Sequence, residues 1–153
     1  MKAGVVRFSD FLVAGIWVRS TNENGQSQKD IGNLWKRFYT ENIFESISNK
    51  LSRDIYCVYT DYENESKSFY TTIIGCKVSF LNDPQKILVS KNIPSGNYQK
   101  YISLGKIPES VVETWKEIWM TNSDRHYLTD FDVYGDKSKD INNPEVETYL
   151  SIK

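Results

Sequence analysis

The stretch RHYLTDFDVYGD, residues 125–136, holds the side chains with the clearest chemical potential in this chain. Read as a strand, it divides its side chains between two faces: Leu128, Asp130, Asp132 and Tyr134 on one, and Thr129, Phe131 and Val133 on the other. Phe131 and Val133 have the character of core residues. Asp132 then faces the other way, beside Tyr134, in a run too central for an exposed loop. An exposed strand acid, or a local pair with Arg125, is the alternative.

A carboxylate at such a place needs a partner. Removing it from water is costly unless it is paired, and the pKa of an unpaired buried carboxyl rises. A bound organic cation would supply the missing charge. The chain is also rich in aromatic residues, with 10 Tyr, 7 Phe and 4 Trp, or 14% of its length. Each Tyr or Trp face adds roughly 0.5–2 kcal/mol of cation–π attraction. An aromatic pocket with one acid at its floor therefore favours flat or bulky cations.

Alternation along other strands gives candidates for the pocket walls. In residues 55–62, one face carries Tyr59 and Asp61, and the other carries Tyr56, Val58, Thr60 and Tyr62. Tyr59 and Tyr70 are predicted to form the wall opposite Asp132. On the last strand, Glu147 and Tyr149 lie on the face opposite Val146, Thr148, Leu150 and Ile152. They are predicted to face the same groove as Asp132 and Tyr134. Structural packing is the alternative for each of them.

The elements that would position these residues form one pattern twice. In the first half we expect a strand at 11–20, a helix at 28–50 capped by Ser27 or Asp30, and strands on either side of a turn at 62–68. A break at LNDPQ, residues 81–85, separates the halves. In the second half we expect a strand region at 86–105 bent at Pro94 and Gly96, a helix at 107–122 ending at Asn122, and strands at 125–135 and 144–153. Each half therefore reads β-α-β-β.

Two copies of one unit predict an α+β fold with pseudo-twofold repeats. We expect a single domain over residues 1–153, built of repeats at about 1–82 and 83–153. Each repeat would place its helix on the convex side of an antiparallel sheet. The two sheets would face each other across a ligand groove, or join around it.

Composition excludes several classes of function. The net charge of −1 and the pI of about 5.9 argue against direct binding of nucleic acid, which usually requires a basic stripe. The longest apolar runs fall short of the roughly 20 residues that span a bilayer. The N-terminus lacks the pattern of a signal peptide, so we expect no membrane association and a cytoplasmic location. Cys57 and Cys76 are too few for a disulfide framework or a four-cysteine zinc site, and free thiols are expected. His126 is expected at the surface, and no metal, cofactor or Ser-His-Asp set is predicted.

The order and spacing of several short motifs resemble the GyrI-like, or AraC-type, effector-binding domain family. In the first half these are VAGI, LWKRF and IYCVYTDYENESKSFYTTIIG, and in the second IPSGNYQKY, VVETWKEIW, YLTDFDVY and VETYLSI. The resemblance covers about residues 11–152. The family acid normally sits where DFDVY has Asp132, in a pattern closer to DFEVY, so that aspartate here replaces a longer glutamate.

The resemblance implies a pocket between the repeats, lined by aromatics and holding one buried acid that attracts cations. Helices flank this pocket in the family, so Trp35 and Trp119 are candidates for it, although their place in helical apolar stripes is also typical of core; Trp115 is predicted to be core. The implied function is binding of a hydrophobic, cationic small molecule, as a sensor or sequestering module of transcription-effector type without its own DNA-binding domain. The alternatives are a hydrolase of electrophilic, cyclopropane-containing compounds using Asp132 as a base, and a module that binds a protein partner, as the topoisomerase-inhibiting namesakes do.

Overall fold

The computed structural model describes residues 1–65, 67–121 and 124–153. The described strands are β1 Lys2–Phe8, β2 Phe11–Thr21, β3 Ile55–Thr60, β4 Phe69–Val78, β5 Val89–Ile93, β6 Gly96–Leu104, β7 Thr129–Tyr134 and β8 Glu145–Ser151. The α-helices are α1 Gln26–Thr40, the one-turn α2 Ile43–Ser46 and α3 Glu109–Thr121. The predicted end of the second helix at Asn122 lies outside the described residues. Among the described helices, none has the length and apolar character needed to cross a membrane.

All eight strands join in one antiparallel sheet with the order β1-β6-β8-β7-β3-β4-β2-β5. The two halves of the chain meet where β3 pairs with β7, in a register that runs from Ile55 opposite Tyr134 to Thr60 opposite Thr129. Of the two predicted arrangements, the sheets therefore join rather than face each other. This α+β fold with two related halves is the predicted fold class.

Each half contains one more strand than the sequence patterns predict. β1 pairs with β6 of the second half, and β5 pairs with β2 of the first half. Each half thus has the element order β-β-α-β-β. The first strand of each half pairs at the outer edge of the other half. The strand region predicted at 86–105 is in fact two strands, separated at Pro94, because proline cannot donate to a sheet ladder.

The sheet is apolar on both faces, and the two faces are covered differently. On one face, α1 packs over Ile16, Cys57 and Ile74, and α3 packs over Val146 and Leu150. The cluster on the other face contains the fully buried Phe131 and Val58, and its described members all lie in strands. Side chains buried without a covering helix require the sheet to curl around them. The helices therefore lie on the outer, convex side, as predicted.

The first helix begins differently from the prediction. It starts at Gln26 after Gly25, whose φ of 69° is a left-handed conformation that glycine adopts without strain. In the described part of the chain, neither predicted cap forms a hydrogen bond to the helix backbone. The Ser27 hydroxyl instead donates to the side chain of Asn22, and the Asp30 carboxylate accepts from Ser20 and Gln26. These bonds tie the first turn of α1 to β2 and to the loop that precedes the helix.

Candidate ligand-binding site

A cavity of about 780 Å³ lies between α1 and α3, over the seam at which β3 pairs with β7. The helices line it with Ile31, Trp35, Val111, Trp115 and Trp119, and the sheet and its loops line it with Tyr59, Tyr62, Tyr70 and Tyr134. The register of the seam gives the cavity two ends. One lies near Ile55 and Tyr134, and the other lies beyond Thr60 and Thr129. Such a largely apolar cavity is typical of small-molecule sites.

The carboxylate of Asp132 lies under the middle of this cavity and is 0% exposed. The Tyr59 hydroxyl donates to its Oδ2 at 2.6 Å. The indole N–H of Trp115 donates to Oδ1 at 3.2 Å, and the Thr148 hydroxyl donates to the same oxygen. Thr148 faces Asp132 directly across β7 and β8. Three donors from three elements therefore hold one buried acid in place.

Burial dominates the electrostatics of this network. It raises the pKa of the Asp132 carboxyl to about 6, although the hydrogen bonds from Thr148, Tyr59 and Trp115 act in the opposite direction. Burial also raises the pKa of the Tyr59 hydroxyl, and the neighbouring Asp132 carboxylate adds to this effect. Tyr59 consequently remains a protonated donor. Asp132 carries a negative charge near neutral pH without an ion partner among its described contacts.

Asp132 faces the cavity side of the sheet, as the alternation predicts, and has no ion partner among the described residues, but it does not itself line the cavity as a floor residue would. Tyr59 and Trp115 line the cavity, and both donate to Asp132, so their side chains lie between the carboxylate and the cavity. The acid acts on the cavity from behind this aromatic layer. The prediction of Trp115 as core is also incomplete, because Trp115 is buried and lines the cavity as well.

The structure places five other predicted site residues around the cavity: Tyr59, Tyr70, Tyr134, Trp35 and Trp119. Several of these rings contact one another. Tyr59 and Tyr70 lie 6.1 Å apart between ring centroids, and Trp35 and Tyr134 lie 4.9 Å apart. Trp119 is 53% exposed and therefore belongs to the rim. Their role in binding a ligand stays a prediction.

Glu147 and Tyr149 lie on the other face of the sheet, and their prediction as groove residues is wrong. The register pairs Asp132 with Thr148, so that Tyr149 faces Phe131 and Glu147 faces Val133. Tyr149 stacks on Phe131 in the strand-only cluster, and Glu147 forms an ion pair with Lys100 at 2.7 Å. The apolar-looking set of β8, which includes Val146 and Leu150, is the set that faces the helices.

A second buried acid and its cation were not predicted as site residues. Asp130 is 0% exposed and forms an ion pair with Arg125 at 2.9 Å, so that Arg125 pairs with Asp130 rather than with Asp132. Arg125 lines the cavity. Tyr62 lines it too and donates to Asp130 at 2.6 Å. Alternation placed Tyr62 on the wrong face because β3 ends at Thr60 and Asp61 adopts a left-handed φ of 53°, which breaks the period of two.

Cationic side chains line both ends of the cavity. Arg125 and Lys67 lie at the end with Tyr62, whereas Lys139 lies at the end with Tyr134. Among the described residues, these three are the charged side chains that line the cavity. The Asp132 carboxylate lies behind the aromatic rings at the centre of the cavity. His126 is exposed, and Cys57 and Cys76 are buried free thiols.

A family model described as Cass2, the integron-associated effector binding protein, matches residues 5–152. The chain belongs to this family. A relative from Bacillus subtilis (strain 168), YobU, whose name suggests a transcriptional regulator, is 29% identical over 146 residues, which is 92% of this chain and 91% of YobU. The assignment confirms the predicted kinship with effector-binding domains.

Solved structures resemble this Cass2 family member over nearly its whole length. The integron cassette protein VCH_CASS2 from the mobile metagenome of Vibrio cholerae has 27% identity and a TM-score of 0.73, and the match covers 98% of this chain and 95% of that one. SAV2435, solved with tetraphenylphosphonium, has 17% identity and a TM-score of 0.81, with 100% and 94% covered. The second likeness shows the shared fold.

Proposed function

We propose that this effector-binding protein captures an aromatic organic cation in the cavity between α1 and α3. The observation that carries the proposal is the fully buried Asp132 carboxylate immediately behind Tyr59 and Trp115, two rings that line the cavity. Its charge has no ion partner among the described contacts, whereas the charge of Asp130 is balanced by Arg125. A bound cation would provide the balancing charge for Asp132.

The electrostatic contribution can be sized. The Tyr59 hydroxyl lies 2.6 Å from Oδ2, so a cation stacked about 4 Å above the Tyr59 ring would lie roughly 7 Å from the carboxylate. At an effective dielectric constant of about 20, two unit charges at about 7 Å attract by about 2 kcal/mol. Cation–π contact with the same ring adds roughly 0.5–2 kcal/mol. The attraction to Asp132 alone corresponds to about thirtyfold in favour of a cation over a neutral molecule of the same shape. The lining cations Lys67, Arg125 and Lys139 act in the opposite direction.

The comparisons support this ligand class. SAV2435, which shares the fold, was solved with tetraphenylphosphonium, a bulky aromatic cation. A sensor or sequestering role for the present protein, in transcriptional regulation or in multidrug binding, is part of the proposal and agrees with the name of YobU. A protein partner stays a prediction.

The position of Asp132 favours binding over the alternative of hydrolysis. A general base must reach its water within hydrogen-bond distance. The Asp132 oxygens accept instead from Tyr59, Trp115 and Thr148, and the carboxylate is separated from the cavity by the first two of these side chains. A hydrolytic role would require this network to open.

The proposal is tested by comparing tetraphenylphosphonium with the neutral triphenylphosphine oxide by isothermal titration calorimetry. We expect Asp132→Asn to weaken binding of the phosphonium by about thirtyfold and to leave binding of the oxide within about twofold. Asp10→Asn, which changes an exposed acid that is not among the lining residues, serves as the matched control and should change neither. Equal losses for both compounds in Asp132→Asn, or no loss for either, would remove Asp132 from the proposed role.

A further inference from the structure

One end of the cavity contains a cation that the protein itself provides. The Arg125 side chain lines this end and is only 7% exposed. Its guanidinium carbon lies 4.1 Å from the ring centroid of Tyr127, 5.6 Å from that of Tyr62 and 5.8 Å from that of Trp115. Three rings therefore surround the guanidinium and fix its orientation.

The position of Arg125 is also fixed from the sheet side. Its Nη2 donates to Asp130 at 2.9 Å and to the Tyr62 hydroxyl at 3.3 Å. Asp130 in turn accepts from the backbone N–H and the hydroxyl of Ser151 and from the Tyr62 hydroxyl. The guanidinium is thus anchored at one nitrogen to a buried network that spans β7 and β8.

Among the described residues, the anchor engages one of the three guanidinium nitrogens. Arginine carries five N–H donors, and the described hydrogen bonds of Arg125 all use Nη2. The buried Nε has no hydrogen-bond partner among the described residues. Buried donors in folded proteins are nearly always satisfied. The enclosed Nε is out of reach of a ligand in the cavity, so an acceptor that enters this end would instead meet Nη1, for which no hydrogen bond is described.

A second cation reinforces the same end. Lys67 lines the cavity, and its Nζ lies 5.4 Å from the ring centroid of Tyr127, the ring on which Arg125 also lies. Asp130 balances the charge of Arg125 but not that of Lys67. The end with Lys67 and Arg125 therefore attracts negative charge, whereas the centre over Asp132 attracts positive charge.

We infer that the Arg125 end of the cavity receives a carboxylate or similar acceptor group of the ligand, so that the preferred ligand is an aromatic cation that also carries such a group. The inference rests on the proposed function, because it assumes that the cationic part of the ligand lies over Tyr59 and Trp115. The inference also gives the bound ligand an orientation. The ligand lies along the seam between β3 and β7, with its acceptor group at Arg125.

Rhodamine 110 and rhodamine 123 are suitable probes, because they share a planar cationic ring system. Rhodamine 110 carries a free carboxylate, whereas rhodamine 123 carries the methyl ester of the same group. Fluorescence anisotropy at neutral pH measures the affinity of each dye for the wild-type protein. We expect the free acid to bind about tenfold more tightly, the usual scale of a charge-assisted hydrogen bond.

The variants separate ligand contact from structural support. Arg125→Gln combined with Asp130→Asn removes both charges of the buried pair without stranding either, and it should reduce the preference for the free acid to within about twofold. The matched control is Arg37→Gln combined with Glu41→Gln, which removes an exposed pair at the C-terminal end of α1 and should retain the preference. Circular dichroism and thermal denaturation establish that each variant is folded.

The outcomes distinguish this inference from the function on which it rests. Equal binding of the two dyes, tighter binding of the ester, or a preference that survives in the Arg125 and Asp130 double variant would overturn the inference and leave the cation site intact. Failure of both dyes to bind would overturn the cation site and the inference with it. The expected preference, lost in the double variant and kept in the control, would support both.

Discussion

Replacing Asp132 with asparagine should change the pH dependence of folding stability in a defined window. Burial raises the pKa of this carboxyl from its ordinary value of 3.8 to about 6. A carboxyl with a raised pKa in the folded state binds its proton more tightly there than in the unfolded chain. Its contribution to stability is therefore fully present below about pH 3.8 and is lost as the pH rises through about 6.

The size of the effect follows from the same two values. Each pH unit between them corresponds to about 1.4 kcal/mol, so the difference amounts to about 3 kcal/mol of unfolding free energy. Asparagine has nearly the same shape as aspartate and cannot titrate. Its carbonyl oxygen can accept from Thr148 and Trp115, and its amide can donate to the oxygen of Tyr59, so the variant should fold.

Urea denaturation followed by tryptophan fluorescence, repeated from pH 4 to pH 7.5, measures the effect. Subtracting the wild-type free energy of unfolding from that of Asp132→Asn cancels the groups common to both. Over this range the difference should rise in favour of the variant by about 2 kcal/mol, since part of the effect lies below pH 4, and it should level off just above pH 6. Gly32→Ala, which neither adds nor removes a titratable group, should give a profile parallel to that of the wild type.

A flat difference across this range would refute the reasoning, because it would mean that Asp132 titrates alike in the folded and unfolded states. A difference that falls with rising pH would also refute it. That result would indicate a carboxylate stabilised by its three donors more than it is destabilised by burial.

Three further outcomes are expected from urea or thermal denaturation of single variants. Gly75→Ala should cost about 3 kcal/mol, because its new Cβ would lie 1.9 Å from a backbone carbonyl oxygen of β2, whereas Gly32→Ala, in open space on α1, should be neutral or stabilising. Tyr59→Phe should shift the pH window of Asp132 upward, since it removes a hydrogen bond that lowers the pKa of this carboxyl; an unchanged window would contradict this. Arg125→Gln alone should cost about 3–5 kcal/mol, because it strands a buried carboxylate; a loss below about 1 kcal/mol would show that the pair is dispensable.

The repeated pattern of strands and helices was readable from the sequence because each element carries its own period and is bounded by turn residues. β1 was not predicted. Its residues are mostly exposed at the edge of the sheet, and its partner β6 lies far along the chain, so neither alternation nor a nearby turn marks it. The exchange of edge strands between the halves depends on such distant pairing, which local patterns do not encode.

Predicting the faces of strands was harder than predicting the strands. In β8 the alternation is clear, but both faces of the sheet are buried, so each set of side chains looks like core. Only the register that pairs Asp132 with Thr148 decides which set reaches the cavity. The sequence could have indicated Arg125 and Asp130 as site residues, since both belong to the same short stretch as Asp132. The sequence alone could not show which of the two acids Arg125 would pair with.

The position of Asp132 clarifies how this cavity can select its ligands. Asp132 lies behind Tyr59 and Trp115 with all of its described contacts made by the protein. Its charge then acts through the aromatic layer by its field rather than by contact. A field selects for charge and is tolerant of shape, so discrimination among cations must come from a group that contacts the ligand directly. Arg125 is anchored, borders the cavity and has no described hydrogen bond at Nη1, and it is therefore the group that we propose for this contact.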